Sequence, residues 1–480
     1  MHDERGGAAG AAEPSTKTAE TAGAEPGSAL AGIRVGANER VGGRGWLGAV
    51  ATGSDGTTHA LWGTEQGFRS RRAPEGRPWG PKATLSREGP FGYILQTQAV
   101  GVDAIGNVTA AWVLDRGYPF TASEITTAHQ APGGDWSRPV VLARRHYEDF
   151  PVAFLDLAVG ASGHVAVTWN DPESSTSWAR YRAPRGRWSR PVRLPGCCGR
   201  VAMDAGGRAT FASYDYVSRG LLLTQRTPRR WRAPVVVAAR QGSPAFDIDA
   251  AGPGEVVVAW ETPKKALRAA RFTGTWAESA LLKKPGRPGV TDLDLAVEAS
   301  VDGSAAFVWS TGDGDLHAAY QDAGSVAAPT KITHARILYV LLATDSSGVN
   351  VAWTTNGRGV YLSRHNRGTA ADQWTEPAEV TNLGARKFSL LAMSASPTVR
   401  QPRCSGRATA AQSMPPASQP RHDTDRRRRS RSRRQSPQPS IVMSERCSRA
   451  QTKRMEVTEN AGTGVLAFGA SASTNRHRGM

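Results

Sequence analysis

One structural unit is repeated along the whole central part of this chain. Short segments such as "AIGNVTAAW" (104–112) and "ASGHVAVTW" (161–169) recur, each with a turn followed by alternating apolar residues. Their last aromatic residues lie 44–57 residues apart and are Trp62, Trp112, Trp169, Tyr214, Trp260, Trp309 and Trp353. A fixed period of this length is typical of repeat architectures, and it restricts the chain to folds built from seven similar units.

Each unit predicts four short strands. A second motif follows each aromatic landmark, for example "DWSRPVVL" (135–142) and "RWSRPVRL" (187–194). In the third unit the strands are expected at 155–161, 164–170, 177–183 and 188–194, because apolar and polar residues alternate there. Proline in the fourth strand removes a hydrogen-bond donor, which predicts an edge position for that strand.

Seven such units predict an all-β protein, a seven-bladed β-propeller of four-stranded antiparallel blades over residues 33–396. A β-sandwich would not repeat one unit seven times. Residues 388–396, "FSLLAMSAS", match the start of the third unit, and the pattern stops after Ser396. The alternative is therefore an eight-bladed ring whose last blade is truncated.

The aromatic landmarks are expected to pack blade against blade, since large buried aromatic side chains usually belong to the core. Tyr214 is expected to take the Trp position in the fourth unit. Two dipeptides, Asp313-Gly314 and Asn356-Gly357, predict tight hairpins between the second and third strands. For Asp313 and Asp315, a hairpin tip is a better explanation than a Ca²⁺ site, because a full set of oxygen ligands is missing.

The motifs "D-x-x-G-x-A-x-A-x-W" and "W-S-x-P-V-x-L" resemble those of bacterial, largely actinobacterial, repeat proteins related to sialidase-like and WD40-like propellers. The resemblance covers about residues 47–396. It implies a propeller fold and an extracytoplasmic location. The first 32 residues lack the basic start and apolar stretch of a signal peptide, so either the chain stays in the cytoplasm or export starts elsewhere.

Both ends of the chain differ in composition from the repeats. Residues 1–32 are rich in Ala, Gly, Glu and Thr, and residues 397–480 are rich in Arg, Ser and Pro with a single aromatic residue, Phe468. Neither composition can build a core, so both segments are expected to be disordered. The tail begins in the middle of a repeat, which raises the hypothesis that it is read out of frame.

The net charge of +18 belongs mainly to this tail. Residues 397–480 hold 17 Lys and Arg against 5 Asp and Glu, including the run "DRRRRSRSRR" (425–434). Such a run binds phosphates without sequence specificity. No aromatic residues interleave it, and no RNA-binding motif accompanies it, so nucleic-acid binding is the third-ranked function.

Two long loops are the candidate ligand site. In a propeller, the loops between strands two and three and those between blades open on one face, where ligands usually bind. The second unit carries unusually long loops there, "LDRGYPFTASE" (114–124) and "RRHYEDFP" (144–151). Their polar and aromatic candidates are Asp115, Arg116, Tyr118, Arg145, His146, Tyr147, Glu148 and Asp149.

The sequence carries no catalytic motif that we could assign. There is no P-loop, G-x-S-x-G, H-E-x-x-H or dinucleotide fingerprint, and the early motif of sialidases is missing. The adjacent Cys197 and Cys198 could form a strained vicinal disulfide, but two thiols beside a turn are the simpler interpretation. Nothing in the sequence calls for a metal or cofactor, and no apolar run is long enough for a membrane span.

These observations predict a monomeric, non-enzymatic propeller that recognises carbohydrate or protein through its loop face. The alternative is a sialidase-type glycoside hydrolase, which would need two carboxyl groups in the central pocket.

Overall fold

The computed structural model describes the repeat region and one short segment of the tail. The described residues are 46–64, 66–87, 98–116, 122–146, 153–171, 174, 176–239, 245–250, 252–275, 279–286, 289–300, 302–322, 325–345, 347–355, 359–370, 372–382, 392–395 and 467–470. They form seven four-stranded sheets and one two-stranded sheet. None of them belongs to a helix that is long and apolar enough to cross a membrane.

The strands of each four-stranded sheet follow chain order and pair antiparallel with their neighbours. Blade 1 contains β1 (Trp46–Thr52), β2 (Thr58–Thr64), β3 (Gly67–Ala73) and β4 (Ala83–Thr84). Blade 2 contains β5 (Gln98–Val102), β6 (Val108–Arg116), β7 (Ala122–Gln130) and β8 (Val140–His146). Blade 3 contains β9 (Ala153–Val159), β10 (Val165–Asp171), β11 (Thr176–Arg182) and β12 (Val192–Arg193). Blade 4 contains β13 (Cys197–Met203), β14 (Ala209–Asp215), β15 (Gly220–Arg226) and β16 (Val235–Ala238).

The remaining blades have the same plan. Blade 5 contains β17 (Phe246–Ala250), β18 (Val256–Glu261), β19 (Leu267–Phe272) and β20 (Ala280–Lys283). Blade 6 contains β21 (Val290–Ala299), β22 (Ala305–Thr311), β23 (Asp315–Gln321) and β24 (Thr330–His334). Blade 7 contains β25 (Ile337–Asp345), β26 (Gly348–Thr355), β27 (Gly359–Asn366) and β28 (Ala378–Asn382). The two-stranded sheet pairs β29 (Ala392–Ala395) in parallel with β30 (Ala467–Ala470).

The prediction of a seven-bladed β-propeller is confirmed. From blade 1 to blade 7, the first strand of each blade packs against the first strand of the next, so these seven strands surround the ring axis. Strand β29, which belongs to the predicted start of an eighth unit, packs against both β25 and β1. The ring thus has seven complete blades, and a short inner strand occupies the position between blade 7 and blade 1.

Five of the six Trp landmarks pack between blades, as predicted, whereas the described contacts of Trp62 lie within blade 1. Trp169 is fully buried against Val113 and Ile125 of blade 2, and Trp353 is buried against Leu316 of blade 6. The second Trp motif begins the fourth strand, where Trp188 forms an isolated bridge to the end of β11. Both landmarks therefore serve the blade structure.

Two details differ from the sequence-based expectations. Strand β10 is buried along its whole length rather than on one face, because the neighbouring blades cover both sides of every sheet. Tyr214 does not take the Trp position. It packs towards blade 5, while Phe211 faces blade 3 and lies with its ring centroid 5.2 Å from that of Trp231.

The Asp313-Gly314 hairpin is confirmed, since Gly314 has φ of 97° and donates its N–H to the Thr311 carbonyl at 2.8 Å. The Asn356-Gly357 turn lies outside the described residues. The same holds for residues 1–32 and for the predicted disordered tail except Ala467–Ala470, which forms β30.

Candidate functional site

The backbone of blade 2 brings four of the eight predicted ligand residues to one end of the sheet. Asp115 pairs with Ser123, which pairs with Arg145 on the other side. In the next row Arg116 pairs with Ala122, which pairs with His146. Neighbouring strands lie about 4.8 Å apart, so the outer members of each row are separated by about 10 Å.

The other four predicted residues, Tyr118, Tyr147, Glu148 and Asp149, lie outside the described residues.

An ion pair that the sequence did not predict lies in the next row of blade 2, between Glu124 and Arg144. The Glu124 carboxylate is buried and accepts a hydrogen bond from Arg144 Nε at 2.8 Å, although the Arg144 side chain itself is largely exposed. This pair fixes β7 against β8 at the base of the predicted loops.

A second group of polar side chains lies on the inner strands. Asp156 of blade 3 accepts a hydrogen bond from the Val201 N–H of blade 4 at 2.9 Å. Asp247 and Asp249 of blade 5 accept hydrogen bonds from N–H groups of blade 6, those of Val297 at 2.9 Å and Ala299 at 2.8 Å. Each carboxylate therefore satisfies a donor on the inner edge of the next blade, where no further strand can pair.

These inner-strand carboxyl groups have raised pKa values. Burial raises the pKa of Asp247 to about 6, although Arg200 and the backbone N–H of Val297 act in the opposite direction. Burial also raises the pKa of Asp249 to about 7, and the nearby charge of Asp247 adds to the effect. The pKa of Glu298 is raised by burial and by the charge of Asp249. We call Asp247, Asp249 and Glu298 the axial carboxyl cluster.

Sequence reasoning did not predict the axial carboxyl cluster. Its signal is the "FDIDA" strand (246–250), in which two carboxylates alternate with apolar residues in a strand expected to lie near the ring axis. A perturbed pKa often marks a functional group, but ion pairs and structural hydrogen bonds perturb pKa values as well.

The opposite face of the ring carries a cavity of ≈270 Å³ between blade 1 and blade 2. Its polar lining comes from Asp55, Thr57, His59 and Arg72, and its apolar lining includes Val102 and Pro132. His59 is buried, and burial lowers its pKa to about 4 even though Asp55 acts to raise it. The imidazole is therefore neutral at physiological pH.

Two other seams, between blades 3 and 4 and between blades 5 and 6, are filled where this one is open. Tyr181 occupies the position equivalent to Arg72 in blade 3 and donates its hydroxyl to the Gly207 carbonyl of blade 4 at 2.7 Å. Arg271, the equivalent residue in blade 5, donates hydrogen bonds to Glu255 and to the Gly303 carbonyl of blade 6. Arg72 is exposed and leaves the space vacant.

On the loop face, Asp315 accepts hydrogen bonds from Lys331 and His334, each at 2.6 Å. The hydrogen bond from Lys331 is the main reason why the pKa of Asp315 is lowered. Within the described parts of the chain, no three His, Cys, Asp or Glu side chains are arranged so that they could hold a metal ion.

Known proteins share the fold of this chain but not its sequence. No family model matches it, and no curated protein matches it. A lectin from Burkholderia pseudomallei matches with a TM-score of 0.52 at 14% identity over 71% of this chain and 100% of that chain. A lectin from Aleuria aurantia, in complex with a fucose-containing disaccharide, matches with a TM-score of 0.36 at 13% identity over 60% and 97% of the two chains. An α-L-arabinanase from Penicillium chrysogenum matches with a TM-score of 0.38 at 12% identity over 61% and 100%.

The similarity to the Burkholderia pseudomallei lectin, at 14% identity, shows a common fold and nothing finer.

Proposed function

We propose that this propeller binds carbohydrate without catalysis, through the loop face of blade 2. The observation that carries the proposal is the strand register, because it aligns Asp115 with Arg145, and Arg116 with His146, on the two strands that flank β7. The full site consists of Asp115, Arg116, Tyr118, Arg145, His146, Tyr147, Glu148 and Asp149.

The chemistry of these residues suits a sugar. Guanidinium groups donate hydrogen bonds in a fixed planar arrangement, and carboxylates accept them from neighbouring hydroxyl groups. Tyrosine adds an apolar ring face that can cover the C–H side of a sugar. The similarity to a lectin propeller supports this ligand class.

Binding of the full chain to a glycan array tests the proposal, with Arg116→Ala and His146→Ala as the site variants. Each should lower the affinity for the wild-type glycan at least tenfold, which corresponds to about 1.4 kcal/mol. The matched control is Arg72→Ala, an exposed arginine that lines the cavity between blades 1 and 2 on the opposite face. Loss of binding in Arg72→Ala, but not in the site variants, would indicate that the glycan binds in that cavity and not at the loop face of blade 2.

A glycoside hydrolase of sialidase type is the second candidate, and the axial carboxyl cluster favours it. A carboxyl group with a pKa of about 7, such as Asp249, is partly protonated at neutral pH and could act as a general acid. Binding without catalysis is preferred because Asp247 and Asp249 each use an oxygen to hold the next blade.

Fluorogenic glycosides, sialosides included, distinguish the two candidates. If the protein only binds sugar, the wild-type chain and an Asp249→Asn/Glu298→Gln double variant should show the same background rate. A wild-type rate well above that of the double variant, with equal folding of both proteins, would establish the hydrolase.

A further inference from the structure

The adjacent residues Cys197 and Cys198 begin strand β13 on the loop face of blade 4. In a regular strand, successive side chains point to opposite faces, so two neighbouring cysteines keep their sulfur atoms apart. In this strand the two Sγ atoms lie only 2.6 Å from each other. This is well inside the optimal separation of non-bonded heavy atoms, about 3.5–4.0 Å.

A β-bulge explains how the two sulfur atoms meet. Cys197 pairs with Tyr214 and Arg200 pairs with Ala212, so β13 contains one residue more than β14 between these pairs. Cys198 takes up the extra residue with φ of 60°, a left-handed conformation that is uncommon for any residue except glycine. The bulge turns the Cys198 side chain back towards Cys197.

The surrounding packing fixes this backbone. A Cβ atom on Gly196 would lie 2.3 Å from the Tyr214 carbonyl oxygen, and one on Gly199 would lie 2.7 Å from Thr168 Oγ1. The Gly199 N–H donates to Ser177 Oγ at 3.0 Å, and the Gly196 carbonyl accepts the Ser177 N–H at 2.7 Å. The strained conformation of Cys198 is therefore held by blade 3 as well as by blade 4.

We propose that Cys197 and Cys198 are a redox-active pair that forms a reversible vicinal disulfide with a low-molecular-weight disulfide as oxidant. Cys198 is half-buried and Cys197 is fully buried, so Cys198 reacts first. Its thiolate attacks one sulfur of the oxidant and releases one thiolate of the oxidant. The Cys197 thiolate then attacks Cys198 Sγ in the mixed disulfide and releases the second.

In this reaction the protein transfers two electrons to the oxidant. The S–S bond of the oxidant breaks, the Cys197–Cys198 bond forms, and the two protons lost by the cysteines are taken up by the two released thiolates. Because the new ring closes within two residues, oxidation removes little loop entropy from the unfolded chain and should hardly change thermal stability. The chemical state of the pair is therefore the property to measure.

Oxidation of the pair would change the surface of the loop face on blade 4. Cys198 Sγ lies 3.9 Å from the Tyr216 hydroxyl, and the Tyr216 ring contacts the Tyr214 ring edge-on at 4.8 Å between centroids. A disulfide would replace the more polar thiols with an apolar group beside these two rings. The location is distinct from the residues proposed to bind sugar on blade 2.

Trypsin releases the pair in one short peptide, "LPGCCGR" (194–200), because Arg193 and Arg200 flank it. The full chain is equilibrated with oxidised glutathione, quenched with acid, unfolded, and treated with iodoacetamide before digestion. We expect a peptide that carries no alkyl group and is about 2 Da lighter than the dithiol, the mass of two hydrogen atoms. After reduction, the same peptide should accept two alkyl groups.

Matched variants make the result unambiguous. In Cys404→Ser/Cys447→Ser the pair holds the only thiols of the chain, and the vicinal disulfide should still form. In Cys198→Ser the single thiol that remains in the peptide, Cys197, should be alkylated in the unfolded chain or carry a glutathione. Double alkylation of the peptide from the oxidised wild-type chain, a mixed disulfide on Cys198 that does not resolve, or a cross-link to Cys404 or Cys447 would overturn the proposal.

Discussion

Two groups of carboxylates in this ring, one buried and one half-buried, have opposite electrostatic surroundings. On blade 7, Asp345 lies at the end of β25 and forms a two-pronged ion pair with Arg364, with both N–O distances at 2.9 Å. On the inner strands of blades 5 and 6, the axial carboxyl cluster faces backbone N–H groups and other carboxylates. Burial disfavours the charged form in both places, yet the pKa values move in opposite directions.

The number and charge of the donors decide this difference. Burial by itself would raise the pKa of Asp345, but hydrogen bonds from Arg364 and Ser347 outweigh it and lower the pKa to about 2. All five N–H donors of Arg364 have partners, which are Asp345, Asn350, Asn366 and Ser347. For Asp249 the donors are neutral and the neighbours carry like charge, so its pKa rises to about 7.

The largest effect should come from breaking the ion pair on blade 7. Arg364→Met removes the positive charge and leaves Asp345 buried without its main partner. We expect the free energy of unfolding to fall by about 3–5 kcal/mol, the usual cost of leaving one charge of a buried pair alone. Urea denaturation at neutral pH measures this loss.

The double variant Asp345→Asn/Arg364→Met tests the cause of that loss. Because it removes the orphaned charge as well, it should recover part of the stability of Arg364→Met. If the double variant is as unstable as the single variant or worse, lost packing rather than the unpaired carboxylate is responsible.

An intermediate effect with the opposite sign is expected for Asp249→Asn. In the folded chain Asp249 keeps its proton up to about pH 7, whereas in the unfolded chain it loses the proton near pH 4. The contribution of Asp249 to the free energy of unfolding is therefore most favourable below about pH 4 and is lost as the pH rises towards about 7. Asparagine still accepts the Ala299 N–H but carries no charge, so the variant should be more stable by about 1 kcal/mol at pH 8, since partial exposure weakens the effect.

Urea denaturation at about pH 5 and about pH 8 should show a gain for Asp249→Asn that grows with pH. For Asp345 we expect the reverse trend. Its contribution to the free energy of unfolding is present above about pH 4 and is lost as the pH falls to about 2. The control is Asp135→Asn, at an exposed carboxylate of blade 2, which should change the free energy of unfolding by less than about 0.5 kcal/mol. An equal gain at both pH values in Asp249→Asn would contradict the raised pKa.

The smallest effect is expected for Arg367→Met, three residues beyond Arg364. Arg367 forms an ion pair with Asp302 of blade 6, but both side chains are a third or more exposed, at 33% and 42%. Water screens such a pair, so the loss should be below about 1 kcal/mol. A loss as large as that of Arg364→Met would mean that exposure does not separate the two arginines energetically.

The Trp repeats predicted the architecture well because most blades have the same large side chain at the same strand position. Trp112, Trp169, Trp309 and Trp353 all fill a seam between blades. The prediction was wrong for Tyr214, which is one strand position out of phase with the others and therefore points to the other blade. A shift of one residue is easily overlooked in a sequence comparison, but it moves the side chain to the opposite face of the sheet.

The candidate site could be predicted only in part. The loop lengths of the second unit indicated where polar residues would gather, and pairing across β6, β7 and β8 brings Asp115, Arg116, Arg145 and His146 to neighbouring positions. Whether they bind a sugar stays a prediction. The axial carboxyl cluster could not be found by spacing alone, since its members come from blades 5 and 6 and meet only when the ring is built.

The sequence by itself determined the blade plan of this protein, because local alternation, turn residues and a repeated aromatic landmark specify strands, hairpins and their order. Only the tertiary structure decided how the blades meet. It buried both faces of strands such as β10, gave all five N–H donors of Arg364 an acceptor, set neutral donors beside Asp249 and brought the sulfur atoms of Cys197 and Cys198 together. The physical reason is that burial and electrostatics depend on groups far apart in the chain, and only the closed ring places those groups side by side.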